Sequence, residues 1–494
     1  MKLTELLNGI KGYKLIGDPE KDIQAIAYDS RKVQPGTLFV ALKGVAMDGH
    51  AYIRDAVQRG ASAVVLEDVP NEKMDVPVIR VSDSRRALSL IALQFYGHPF
   101  DGVDLIGITG TNGKTTTSFL LESILLKAGK RPGVIGTINY RYSELSRPAS
   151  VTTPESMDLI GLAREMVDAS TTHIIMEVSS HALVQGRTSD CPFRTAVFTN
   201  LSRDHLDYHR NMEEYFMAKS LLFRELGRES TAVINMDDSR GQVLAAMTKA
   251  KIITYGIRGR WDIRMDKEGI RAELVTPIGR REIRSSLIGE FNIYNILAAS
   301  SSAVSIGLDL DTIAGGIESL PFVPGRMEVV RNCQDLTVVV DYAHTPDALL
   351  KTLLCLKPFV QGRLITVFGC GGDRDRGKRA EMGLIAGRES DVVFITSDNP
   401  RSEDPLAIVS EIEQGIRQSA MKKLESPLPA GIETGYFTEP NRREAIRRAI
   451  SIARKRDLVL IAGKGHEDYQ IIGRERKHFD DRKEAALAAL EAAA

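Results

Sequence analysis

Apolar and polar positions alternate along this chain in short blocks. Residues 23–28 carry an alternating run, and the Pro35-Gly36 step that follows predicts a turn before a second strand at 37–42. A helix is expected over 50–59, ended by Gly60, then strands at 63–66 and 78–81 and a helix over 84–95. Together these make a small α/β unit. Tyr96-Gly97-His98-Pro99 punctuates the chain after it, and a domain boundary is expected at 98/99.

The apolar run at 103–108 turns abruptly into small and polar residues, then into an amphipathic segment over 118–128. Strands at 131–138, 173–178, 195–200, 232–235 and 252–255 follow, alternating with helical patterns such as 156–168. With a glycine loop after its first strand, this alternation predicts a largely parallel, doubly wound sheet. Residues 263–288 read as short antiparallel strands and 292–306 as a helix, before a turn-rich hinge at Pro321-Phe322-Val323-Pro324-Gly325. Strands at 336–341, 363–368, 391–396 and 458–461 predict a further α/β sheet, and an alanine-rich helix closes the chain at 481–494. The expected fold is α/β in three domains. A central phosphate-loop domain (99–330) is flanked by a small N-terminal α/β domain (1–98) and a C-terminal Rossmann-like domain (331–494).

A chain of 494 residues is too long for one core, which agrees with that division. Lys+Arg and Asp+Glu both total 65, so the net charge is zero and no nucleic-acid partner is expected. No apolar run approaches the ~18–20 residues of a membrane span. The N-terminus lacks a signal peptide's apolar core. Cys191, Cys333, Cys355 and Cys370 are scattered without metal-ligand spacing. A cytoplasmic monomer is expected.

The chemistry concentrates at predicted strand ends. Thr109-Gly110-Thr111-Asn112-Gly113-Lys114-Thr115-Thr116 follows a strand and opens a helix, the order a phosphate-binding loop needs. Lys114 would reach the outer phosphates of a nucleoside triphosphate and Thr115 would ligand Mg²⁺. The strict pattern expects its first glycine at position 108, where Ile108 stands. Glu177-Val178-Ser179-Ser180-His181 ends another strand, where Glu177 can hold Mg²⁺ or be a solvated carboxylate. After Asn200 comes a polar stretch containing Arg203, Asp204, His205 and His209, and Lys219 then sits inside an apolar helical run. Such a lysine either snorkels to solvent or is carboxylated, which would reverse its charge and supply oxygen ligands.

Around the hinge, Arg326 can swing onto phosphate and Asp341 can take ribose hydroxyls, while Asp347 reads as a helix cap. Gly369-Cys370-Gly371-Gly372-Asp373-Arg374 is a second glycine-rich turn, suited to a carboxylate or phosphate. Arg374, Arg401 and Glu467 lie at three strand ends. They suggest one pocket for a zwitterion bearing an extra carboxylate; loop charges on an open surface are the alternative.

These stretches, with Asn292-Ile293-Tyr294-Asn295, Pro324-Gly325-Arg326 and Asp341-Tyr342-Ala343-His344, resemble the Mur ligase family of peptidoglycan synthesis through all three domains. The family's loop lacks the extra glycine, which accounts for Ile108. Asp29-Ser30-Arg31, Thr152-Thr153-Pro154 and above all Asp398-Asn399-Pro400-Arg401 narrow the likeness. They point to members that add meso-2,6-diaminopimelate to UDP-N-acetylmuramoyl-L-alanyl-D-glutamate, using ATP and Mg²⁺.

The resemblance implies that Ser30 contacts UDP and that Thr152, Thr153, Ser179, Gln185 and Arg187 hold the muramoyl dipeptide. Gly110, Thr111, Asn112, Gly113, Lys114, Thr115, Thr116, Asn295, Arg326 and Asp341 would bind ATP. Thr115, Glu177, His205 and carboxylated Lys219 would hold metal, with Lys114, Lys219 and His205 catalytic. Arg374, Asp398, Asn399, Pro400, Arg401, Gly463 and Glu467 would bind the incoming amino acid. Two rivals share parts of this pattern. Folylpolyglutamate synthetase has no need of a uridine-binding first domain, and a non-catalytic nucleotide-gated protein has no need of the whole metal set.

Overall fold

The computed structural model describes residues 1–44, 47–68, 74–257, 263–266, 269–330, 336–425 and 433–492. Cys333 and the last two residues of the expected C-terminal helix lie outside them; that helix runs Asp481–Glu491.

Three sheets of mixed character organise the chain. The first has five strands in the order Lys14–Ile16, Val78–Arg80, Ala61–Leu66, Thr37–Val40, Ala25–Ala27, parallel except for the edge strand Lys14–Ile16. The helix expected over 50–59 is split: a 3₁₀ turn, Gly49–Tyr52, precedes the α-helix Ile53–Gln58. The Asp48 side chain accepts from His50 N–H and caps that turn.

The central sheet runs Lys251–Tyr255, Thr231–Asn235, Phe193–Phe198, Asp104–Thr109, His173–Glu177, Pro132–Ile135, then the antiparallel ribbon Asn139–Tyr142 and Leu145–Pro148. The first six strands are parallel. Their buried residues, mostly apolar and rich in isoleucine and valine, are covered on both faces, as a parallel sheet requires. One face packs on Lys114–Lys127, Glu290–Ser305 and Leu310–Glu318; the other on Ser156–Asp168 and Met212–Arg224. The three-stranded antiparallel sheet Ile263–Asp266, Gly269–Thr276, Gly279–Ser285 extends the first of these cores.

The third sheet orders Glu328–Val329, Thr337–Asp341, Leu458–Ala462, Leu364–Phe368, Val392–Ile395, Gly435–Thr438, parallel after its first strand. Glu328 and Val329 pair with Val340 and Val339, so this sheet begins on the near side of the expected 330/331 junction. The turn at Pro324-Gly325, which cannot continue either sheet, is the physical break. In both parallel sheets the loops that follow the strands face one shared cleft, the place where open α/β sheets bind ligands.

Candidate active site

The glycine loop sits between the strand Asp104–Thr109 and the helix Lys114–Lys127, beside the point where the chain reverses its direction of winding. Gly110 (φ +148°) and Gly113 (φ +89°) both need conformations that side chains disfavour. A Cβ on Gly110 would lie 1.9 Å from Thr199 Oγ1, and one on Gly113 2.3 Å from Asn295 Oδ1. Ile108 is a fully buried strand residue, so no loop glycine is needed there. Asn200 braces the loop, its carbonyl accepting from Thr111 N–H and its Oδ1 from Asn112 N–H, both at 2.9 Å. Lys114 Nζ donates to the carbonyls of Gly110 (2.8 Å) and Thr111 (2.9 Å), and burial pulls its pKa down.

Glu177 is almost fully buried. Its carboxylate accepts from Thr115 Oγ1 (3.0 Å), Thr137 Oγ1 (2.8 Å) and Thr137 N–H (3.1 Å), and no cation pairs with it among the described residues. A buried carboxylate with no ion-paired cation among the described residues, 3.0 Å from the hydroxyl that opens a phosphate-loop helix, fits a divalent cation. The donors are oxygens, as Mg²⁺ prefers, and too few to enclose it, which leaves room for phosphate and water.

Lys219 does not snorkel. It is 2 % exposed, its Nζ donates to Gly110 O at 2.8 Å, and it stands 4.5 Å from the Tyr215 ring centroid with no carboxylate partner among the described residues. Burial, with Lys114 close by, holds its pKa far below the usual lysine value. A neutral amine is the form that reacts with CO₂, so the site fits a carboxylated lysine.

His205 adopts φ +55°, which turns its ring into the cleft, 5.0 Å and edge-on from His181. Burial lowers its pKa, against the pull of the Asp204 carboxylate 3.5 Å from Nε2. That direction favours the neutral imidazole, the form that binds metal. His209 fixes the background, its Nε2 2.9 Å from Ser180 Oγ and its ring against Tyr215.

The expected dipeptide residues line one wall. Thr153 Oγ1 donates to Glu177 O (2.8 Å), accepts from Ser179 N–H (3.0 Å), and its carbonyl takes Arg187 Nη1 (2.8 Å). Thr152 Oγ1 lies 3.2 Å from Thr137 Oγ1, and Arg187 Nη2 donates to Gln185 Oε1 at 2.6 Å. Ser30 stands apart from this wall, on the 3₁₀ turn Ser30–Lys32 beside Asp55.

On the nucleotide side, Arg326 Nη2 donates to Thr115 Oγ1 at 3.2 Å, and its guanidinium lies 4.2 Å over the Tyr342 ring. Asn295 Nδ2 is tied to Asn292 Oδ1 at 2.9 Å, leaving its Oδ1 toward Gly113. Asp341 lines the cleft, but its carboxylate also holds the hinge, accepting from Met327 N–H (2.7 Å) and Ala343 N–H (2.9 Å). Asp347 is not the helix cap. Thr345 caps Pro346–Leu356, and Asp347 instead accepts from Asn112 Nδ2 at 3.1 Å, joining the glycine loop to the third sheet. Proline at the first helical position favours a cap one residue ahead of it.

At the far end, Arg374 donates to Asp373 O at 2.9 Å, and Arg401 (φ +52°) donates from Nη1 to Gly372 O at 2.7 Å. No carboxylate pairs with Arg401 among the described residues. Pro400 packs its carbonyl against Gly372, where a Cβ would come within 1.9 Å. Glu467 is not a free negative group: Asn399 Nδ2 (2.9 Å) and Lys464 Nζ (3.1 Å) both donate to it. Lys464, fully buried, also reaches Asn399 Oδ1 (3.2 Å) and Asp398 Oδ1 (3.5 Å). Burial raises Asp398, but Lys464 and Arg442 outweigh it and hold the carboxyl below its ordinary pKa. Gly463 (φ +117°) brings the last strand past this cluster.

One cleft of about 1130 Å³ joins all the expected site residues except Ser30, Gly110 and Pro400. That exceeds an ordinary small-molecule pocket, as a site for several reactants must. Residues 22–96 match the Mur ligase family catalytic domain, 108–303 the Mur ligase middle domain and 325–465 the Mur ligase glutamate ligase domain. The UDP-N-acetylmuramoyl-L-alanyl-D-glutamate--2,6-diaminopimelate ligase of Geobacter sulfurreducens is 49% identical over 501 residues, 99% of this chain and 98% of that protein. The chain belongs to the Mur ligase family. A solved UDP-N-acetylmuramoyl-L-alanyl-D-glutamate--2,6-diaminopimelate ligase matches this Mur ligase at 33% identity and TM-score 0.68, covering 100% of this chain and 99% of that one. Folylpolyglutamate synthase from Mycobacterium tuberculosis, 19% identical with TM-score 0.63, covers 82% of this chain and 94% of its own and shares the fold.

Thr137 of this Mur ligase was not singled out by the sequence patterns, and Asn200, His209 and Lys464 stood in polar stretches without a role of their own. Each follows a strand or lies beside a named motif, but each earns its place through a partner distant in sequence. Arg442, fully buried, forks onto Asp481 at 2.7 Å and donates to Ala462 O at 3.0 Å, fixing the strand end that carries Gly463 and Lys464. Removing one member of such a pair costs about 3–5 kcal/mol.

Proposed function

We propose that this enzyme adds meso-2,6-diaminopimelate to UDP-N-acetylmuramoyl-L-alanyl-D-glutamate at the expense of ATP, in the cytoplasm and as a monomer. The observation that carries the reading is Arg401, a half-buried guanidinium without a carboxylate partner among the described residues, in the same cleft as the glycine loop. The domains are assigned as 1–98 for the UDP-substrate, a central ATP-binding body from 99 to the hinge, and an amino-acid-binding body from there to 494.

The D-glutamate carboxylate attacks the γ-phosphate of ATP, giving an acyl phosphate and ADP. The diaminopimelate amine then attacks the acyl carbon, loses its proton and expels phosphate. Lys114, the loop N–H groups and Arg326 bind and neutralise the phosphate oxygens, which lets two anions meet. Mg²⁺, held by Thr115 and Glu177 and by carboxylated Lys219 with His205, supplies further charge neutralisation when bound. Thr152, Thr153, Ser179, Gln185 and Arg187 orient the dipeptide, and Ser30 holds the UDP end. Asn295 and Asp341 place the nucleotide.

Arg374, Asp398, Asn399, Pro400, Gly463 and Glu467 shape the amino-acid pocket, and Arg401 forks onto the distal carboxylate. L-Lysine lacks that carboxylate and leaves the half-buried guanidinium without its carboxylate partner, a loss of several kcal/mol and so about a thousandfold in selectivity.

The test is incubation with ATP, Mg²⁺, the UDP-muramoyl dipeptide and either diamino acid, read by mass spectrometry. Product is expected with diaminopimelate; product with L-lysine alone overturns the amino-acid assignment. Phosphate release should require both acceptors, and nucleotide binding without turnover would favour a gated binding protein instead.

A further inference from the structure

The residues after Glu467 form a hairpin outside the glycine loop and the wall of Thr152, Thr153 and Arg187. Tyr469–Ile472 and Glu475–His478 pair antiparallel as a two-stranded sheet of their own, with Gly473 (φ +60°) in the turn. The Phe479 N–H closes its base on Asp468 O at 2.8 Å. So small a ribbon buries little and is marginal by itself. It is anchored elsewhere.

The anchor is the segment Asp398–Arg401. Gln470 Nε2 donates to Asp398 O at 2.7 Å, and Ile471 N–H donates to Asn399 Oδ1 at 3.0 Å. Arg401 is gripped from both sides, its N–H donating to Ile471 O at 3.1 Å and its carbonyl accepting from Gly473 N–H at 2.8 Å. Arg401 therefore pairs with Ile472 as a one-residue parallel bridge. The residue needs this support. Its φ of +52° is a conformation that a long side chain rarely adopts unaided.

The same hairpin reaches the pocket floor. Tyr469 lines the cleft, with Lys464 Nζ 5.4 Å from one side of its ring and the Arg476 guanidinium 3.6 Å away. The aromatic ring thus covers the Lys464, Asp398 and Glu467 cluster, and Arg476 covers the ring.

We propose that the hairpin Tyr469–His478 is a specificity clamp: it fixes the backbone of Arg401, and with it the distance at which the guanidinium meets the far end of the incoming amino acid. This rests on the assignment of Arg401 to the distal carboxylate. Gln470 is on this view a positioning residue. It touches no reacting atom; by holding Asp398 O it ties the hairpin to the segment that carries Arg401.

The experiment compares the full-length enzyme with Gln470→Leu, which keeps the volume and removes the donor, and with a variant whose 471–476 tip is replaced by a shorter turn. Steady-state constants are measured with diaminopimelate and L-lysine, alongside the KM for ATP and the thermal midpoint. For Gln470→Leu, the diaminopimelate KM should rise about tenfold and the preference over lysine fall by a similar factor, with kcat, ATP KM and midpoint unchanged. Unchanged selectivity in Gln470→Leu, while Arg401→Ala abolishes it, overturns the clamp and leaves the Arg401 assignment standing. Unchanged selectivity in Arg401→Ala overturns that assignment and the clamp with it. Should the shortened variant fail to fold, Gln470→Leu still decides.

Discussion

The Thr115 hydroxyl donates to the Glu177 carboxylate across 3.0 Å, joining the first turn of the phosphate-loop helix to the end of a neighbouring strand. With metal bound, both oxygens would turn from each other to the cation. Glu177→Gln keeps the size and one acceptor oxygen but removes the charge. Activity should fall by roughly two orders of magnitude and the Mg²⁺ concentration for half-maximal rate should rise. A titration of rate against Mg²⁺ checks this, and an unchanged midpoint would remove Glu177 from the metal set.

Lys219 is buried beside Lys114, so its ammonium form is disfavoured and its amine is free to take up CO₂. Enzyme equilibrated with ¹³C-bicarbonate should show one carbamate carbon resonance by NMR, absent from Lys219→Met. Uptake needs the neutral amine and decarboxylation needs a proton. The signal should therefore weaken as pH falls and return as pH is raised.

Arg379, fully buried, holds the second glycine-rich turn by pairing with Glu403 and Glu411 and donating to Gly371 O at 3.3 Å. The hydrogen bonds from Arg379 lower the Glu403 pKa from 4.5 to about 2. A carboxylate depressed on folding stabilises fully above its unfolded value, and that contribution is lost as pH drops toward the folded one. The thermal midpoint gap between wild type and Arg379→Met should be largest near neutral pH and close between pH 4.5 and 2. A constant gap over that window would mean the pair contributes nothing through its charge.

How much of this was legible beforehand depends on the range of the interaction. The glycine loop, its strand and its helix are local, and their residues alone announce them. Lys219 was legible as an anomaly, a lysine in an apolar helix, but only the fold shows that its Nζ ends on Gly110 O, far away in sequence. The hairpin Tyr469–His478 was invisible for the opposite reason. Its strands are largely exposed and carry no clean alternation, and what orders it is the segment around Arg401. Glu467 misled: its charge predicted a free group, and Lys464, to which the patterns gave no role, takes it up.

Arg401 offers the sharpest separation of charge from shape. Arg401→Lys retains a positive charge but loses the planar fork that can meet a carboxylate with two parallel hydrogen bonds, and its shorter reach leaves Gly372 O without its donor. Arg401→Ala removes charge and fork together. If a forked ion pair sets selectivity, the preference for diaminopimelate over L-lysine should fall by about tenfold in the lysine variant and by about a thousandfold in the alanine variant. The loss should lie in the KM for diaminopimelate, because the distal carboxylate is remote from the reacting amine. The KM for ATP should stay where it is, since Arg401 belongs to the end of the cleft away from Thr115. Competition between the two amino acids in one mixture, read by product mass, measures the ratio directly. Equal ratios for the two variants would show that the fork, not the charge, carries the selectivity; a wild-type ratio in Arg401→Lys would show that charge alone suffices.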